Sequence, residues 1–138
     1  MNLNDFIEKG QVKKADKDIS LAKSLVSTAE NDLIFLKNSE INKYSARKIM
    51  TGYYDILRSI LEAISILNGY KIYSHEAFTY FLKQINENLI ANKFDRLRKI
   101  RNGINYYGKD ISIEEVKENT KEIIKLITEL KNKYFKDL

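Results

Sequence analysis

The chain has 138 residues with no cysteine and no proline, and its 24 Lys and Arg exceed its 19 Asp and Glu to leave a formal charge of +5. That length fits one domain over residues 1–138, and without cysteine neither a disulfide framework nor a thiolate metal site can form. So modest a charge suits a polyanionic partner only where the excess is concentrated, and with neither a secretory leader in MNLNDFIEKGQVKK nor an apolar run of the ~18–20 residues that span a bilayer, a cytoplasmic protein without membrane contact is expected.

In chain order, a short helix is expected near Leu3 to Lys9, ending at Gly10, followed by a connector carrying Lys13, Lys14 and Lys17. From Ile19 to about Leu36, the residues Ile19, Ala22, Leu25, Ala29, Leu33 and Leu36 recur at steps of three and four, the mark of one apolar helix face. The third helix, about Asn42 to Asn68, is apolar on several sides and so is expected at the centre, closing at Asn68-Gly69. Ser74 is placed to cap the fourth, with Glu76 at the positive end of its dipole, Tyr73 set to pack on Phe78, and Phe78, Phe81, Leu82, Ile85 and Leu89 inward. Asn92 is the expected cap of the fifth, whose stripe of Phe94, Leu97, Ile100, Ile104 and Tyr107 ends at Gly108. Ser112 and Glu115 offer a capping box for the last helix, and Ile111 and Val116 a hydrophobic staple. With short connections and no segment demanding a strand, the expected class is all-α: an antiparallel up-and-down four-helix bundle with an added short N-terminal helix.

Chemistry concentrates in RLRKIRNGINYYGKD, residues 96–110. On a helix Arg98, Arg101 and Asn105 share a face, with Asn102 beside Asn105, so two guanidiniums and two amides are expected to converge. Guanidinium forks hold phosphate in two-pronged fashion and stay charged, which suits a nucleotide or an RNA backbone. The structural account is that basic residues near a helix C-terminus merely complement its dipole. Gly103 within this helix costs about 1 kcal/mol relative to alanine, which suggests a close approach to the backbone there.

Arg101-Asn102, followed by Gly103, Ile104 and Asn105, resembles the signature of the HEPN superfamily, which is Arg, a polar residue, three further residues and His on the helix before the last. ARKIMTGYYDILRSILEAISILNGY is similar to the long central helix of those domains, and SHEAFTYFLKQI to their following helix. The motif histidine is Tyr106 in this chain. The resemblance implies a homodimer whose two motifs meet in a cleft and, in active members, a cofactor-free, metal-independent endoribonuclease in which His is the acid/base and Arg steadies the phosphate. Carried over, Arg101 keeps the electrostatic role and Asn102 the orienting one. Tyr106 is a poor base, because phenols titrate near pH ~10. The expectation is therefore a dimeric RNA- or nucleotide-binding domain without the usual ribonuclease activity, using Arg98, Arg101, Asn102, Asn105, Tyr106 and Tyr107. The alternatives are a degenerate ribonuclease using Arg101, Asn102 and Tyr106, and a structural interaction subunit. The resemblance also implies a toxin–antitoxin setting with a nucleotidyltransferase partner. His75, the single histidine, is expected to be a solvent-facing structural residue at a helix start.

Overall fold

A capping box starts α1 (Leu3–Glu8) in the computed structural model, which describes residues 1–138. Asn2 accepts from the Asp5 N–H at 3.2 Å, and the Asp5 carboxylate accepts from the Asn2 N–H at 2.8 Å. After Gly10 the chain forms β1 (Val12–Lys14), paired antiparallel with β2 (Tyr70–Ile72) so that Val12 faces Ile72 and Lys14 faces Tyr70. This ribbon corrects the expectation of no strands. Three residues are too few for an alternation to be legible in sequence, and so short a pair persists because Val12 and Ile72 are buried in the core. It ties the N-terminal segment to the turn that precedes the fourth helix.

α2 (Ile19–Lys37) is capped by the Asp18 side chain, which accepts from the Leu21 N–H at 2.9 Å. It buries Ala22 and Ala29 and packs Leu25, Leu33 and Leu36 on the core, while Ile19 stands in solvent at its first turn. α3 (Ala46–Leu67) begins four residues later than expected, because Asn42 organises a turn instead of a helix start. The Asn42 side chain accepts from the N–H groups of Tyr44 and Ser45 at 2.9 and 3.0 Å. Its end falls as expected, with Gly69 in the left-handed region at φ +83°. α3 packs against α2 and against the later helices, and Met50, Tyr54, Leu57, Ile60, Leu61 and Ile64 along it are fully buried.

α4 (His75–Gln84) starts after Ser74, which is extended but makes no side-chain cap bond. Phe78, Phe81 and Leu82 face the core as expected. The boundary with α5 (Asn88–Tyr107) differs: the break lies at Asn86, a non-glycine residue at φ +64°, and Glu87 precedes the helix in place of Asn92. Asparagine tolerates this conformation better than most residues. Breaking there turns Ile90 and Ala91 inward and leaves Leu89, expected inside, 68% exposed. α6 (Ile113–Tyr134) starts where the capping signals lie, Ser112 accepting from the Glu115 N–H at 3.1 Å. Val116, Ile123, Ile127 and Leu130 are buried along it. The chain is thus mostly helical, and no helix is long and apolar enough to cross a membrane.

Candidate anion-binding cleft

The basic run at the middle of α5 is largely neutralised by neighbours. Arg96 bonds Asn119 at 3.1 Å and Glu122 at 2.6 Å, fastening α5 to α6. Asp95, one turn before, takes two bonds from Arg98 at 3.1 and 2.9 Å, an ion pair from Lys99 at 3.2 Å and a hydroxyl bond from Thr79 of α4 at 3.3 Å. Burial works against the ionised Asp95 carboxylate, but the bonds from Arg98 and Lys99 outweigh it and hold the group below the usual carboxylate value. Arg101 alone of the four has no carboxylate partner.

The Arg101 guanidinium is held by aromatic and amide groups. One terminal nitrogen donates to the Tyr106 hydroxyl at 3.2 Å and reaches the side-chain oxygen Oδ1 of Asn102 at 3.4 Å. Its carbon lies 5.3 Å from the centre of the Tyr106 ring and 5.7 Å from that of Tyr54. The Nε–H is buried without an acceptor. The other terminal nitrogen makes no hydrogen bond within the protein and is not among the buried unpaired atoms.

Arg101 lines a cleft of about 460 Å³ whose walls come from four helices. α3 supplies Gly52, Asp55, Ile56, Arg58 and Ser59, α2 supplies Asp32, Phe35 and Leu36, and α4 supplies His75. Arg58 pairs with Glu62 at 3.1 Å. Asp32 and Asp55 line the same cleft and offset part of the positive charge of Arg58 and Arg101. Phe35, 71% exposed, stands on the α2 wall.

His75 is corrected from a solvent-facing residue to a half-buried member of this cleft. Its Nδ1 lies 2.9 Å from the hydroxyl of Tyr54, which is fully buried, and the two rings stack at 5.8 Å. Burial first, then the charges of Arg101, Arg58 and Arg98, lower His75 to about 4, leaving it neutral at physiological pH. Burial also pushes the Tyr54 phenol well above its ordinary value, with the three arginines opposing.

Of the residues expected to converge, then, Arg101, Asn102 and Tyr106 meet, while Arg98 is committed to Asp95. Asn105 and Tyr107 project into solvent, Tyr107 at 77% exposure. Gly103 is corrected too: a Cβ there would lie 3.2 Å from Cδ of Lys109, so the close approach is the chain's own turn folding back, with the Lys109 N–H bonded to the Gly103 carbonyl at 3.0 Å. Sequence reasoning missed Tyr54, Arg58 and His75 as neighbours of Arg101. The legible signal was Arg58, a charge set inside the apolar run of α3. No group of three or more His, Cys, Asp or Glu side chains is placed to hold a metal ion. Comparison with protein-family models, curated proteins and solved structures found no match in any of the three.

Proposed function

We propose that this chain is a HEPN-like domain, an up-and-down bundle of α2, α3, α5 and α6, that binds a phosphate group of RNA or of a nucleotide at Arg101 and works as a homodimer without the usual ribonuclease activity. The observation that carries the reading is the state of Arg101: a guanidinium lining an open cleft, oriented by Asn102 and Tyr106, with no carboxylate to neutralise it. A permanent charge with unused donors beside a neutral imidazole is suited to an oxyanion. The dimer and the HEPN-like identity rest on the Arg101-Asn102 motif and its place on the penultimate helix. A nucleotidyltransferase-linked toxin–antitoxin setting belongs to the same reading and rests on the resemblance alone. Binding of labelled single-stranded RNA and of nucleotides at low salt tests the reading, with Arg101→Ala expected to weaken it at least tenfold. Undiminished binding by that variant, or none by the wild type, sinks it.

One observation favours a second reading. His75 lies in the same cleft as Arg101, so a histidine from α4 stands near the motif arginine although the motif's own position holds Tyr106. On that reading the chain is a metal-independent endoribonuclease. Incubation with structured RNA in EDTA decides it: cleavage that both Arg101→Ala and His75→Ala abolish supports an enzyme, and intact RNA rejects it.

A further inference from the structure

The hydrogen bond between Tyr54 and His75 fixes more than a position. Tyr54 is fully buried and its hydroxyl has one partner, Nδ1 of His75, at 2.9 Å. A buried O–H must donate or be left unpaired, and no other acceptor lies within its reach. The phenol therefore donates, Nδ1 accepts, and the ring proton of the neutral imidazole is on Nε2. That nitrogen makes no bond within the protein and is not a buried unpaired atom, and His75 lines the cleft.

We infer that His75 is a neutral hydrogen-bond donor locked in the Nε2–H tautomer by Tyr54, forming with Arg101 a two-point clamp for a phosphate oxygen that binds its ligand without acid–base catalysis. The inference rests on the phosphate-binding reading above and deepens it by giving the second ligand-holding group. Both members of the clamp stand against the same Tyr54 ring, at 5.7 Å for the guanidinium and 5.8 Å for the imidazole. For His75 to act as a base, the proton would have to move to Nδ1, facing the phenol oxygen. The phenol hydrogen would then be orphaned in a dry site, disfavouring that tautomer roughly tenfold or more. Charge on the ring is disfavoured as well. Arg58 of α3 and Arg98 and Arg101 of α5 repel a proton, against only Asp55 of α3 and Asp32 of α2 in the cleft, with Asp95 already committed to Arg98. Clamping of a phosphodiester, whose charge is constant over this range, should thus be flat in pH from about 5.5 to 8 with His75 neutral throughout, whereas inorganic phosphate and AMP gain their second charge within it.

Because His75 is the single histidine, its ring nitrogens can be observed without ambiguity in a ¹⁵N-labelled protein. At pH 7 the long-range ¹H–¹⁵N spectrum should show a protonated Nε2 and a bare Nδ1, and Tyr54→Phe should shift the ring towards mixed tautomers. Inorganic phosphate, AMP and a short single-stranded RNA are the binding probes, and their ranking separates free phosphate, nucleotide and RNA as the source. His75→Ala should weaken whichever binds about tenfold, while His75→Gln, which keeps a donor near the Nε2 position, should stay within about threefold of wild type. An Nδ1–H ring, or equal losses in the Ala and Gln variants, overturns the clamp while leaving binding at Arg101 intact. An Nε2–H ring in a protein that binds none of the probes overturns the phosphate reading itself, and the clamp with it.

Discussion

Two arginines three residues apart on α5 have opposite fates, and one carboxylate decides it. Asp95 is three residues before Arg98 and binds it from the same helix face, whereas Arg101 lies beyond its reach and turns to Tyr54 and Tyr106. Asp95→Asn should therefore lower stability by about 1–2 kcal/mol, since it weakens charge-assisted bonds to Arg98 and Lys99 and a link to Thr79 on α4. Urea denaturation reads this directly. The i,i+3 spacing of Asp95 and Arg98 permits their pair, although Arg98 was expected in the binding site; His75 had no such signal, because its neighbours come from α3 and α5 and helical periodicity says nothing about which helices meet. His75 also makes a pH prediction. Its folded value of about 4 is below the unfolded reference of 6.5, so as pH falls the unfolded chain takes up the proton first. Stability should be fully present above pH ~6.5, decline by on the order of 1–3 kcal/mol towards pH ~4, and stop falling from this source below that. Asp95 acts in a lower window: its depressed value contributes stability above about 3.8 that is lost as pH falls through the folded value. Denaturation of wild type and His75→Gln at pH 7, 5.5 and 4.5 separates the two, because only the wild type should lose the upper step.

At the scale of elements, the boundaries that could be read were those written in local chemistry. Ser112 with Glu115 set the start of α6, and Asn68-Gly69 set the end of α3, because a cap or a left-handed glycine acts within one turn. The α4–α5 boundary was misplaced because Asn86 and Asn92 are equally good signals in sequence, and tertiary packing chooses between them. The choice buries Ile90 and Ala91 at the expense of Leu89. The positive φ of Asn86 carries a specific consequence. Alanine pays about 1–2 kcal/mol in the left-handed region, asparagine pays less and glycine nothing, so Asn86→Ala should destabilise by about 1 kcal/mol while Asn86→Gly stays near neutral. Melting of the two variants tests it, and an unaffected alanine variant would show that α4 and α5 can join in another way. The β1–β2 ribbon was illegible for a different reason: its two partners are separated by the whole of α2 and α3, and neither is long enough to declare a period.

For the molecule as a whole, the all-round apolar character of α3 announced a central helix, and the clustered positive charge drew attention to α5. What composition could not reveal is how much of that charge is already spent. Arg96, Arg98 and Lys99 each face a carboxylate, so along residues 96–101 a polyanion meets one arginine without an ion pair, Arg101. Each phosphate neutralised on a single strand contributes about −0.7 to the slope of log affinity against log salt. If ligand is held at Arg101 alone, Arg58 of the same cleft being paired with Glu62, the slope should be about −0.7 per protomer, whereas a wholly free basic run of four would give nearly −3. Fluorescence anisotropy with single-stranded RNA between 25 and 200 mM salt measures the slope, and sedimentation velocity supplies the number of protomers by which to divide it. A shallow slope abolished by Arg101→Ala is the expected result. A slope near −3 would mean that the α5 cations release their carboxylates on binding, moving the interface from the cleft to the outer face of the helix.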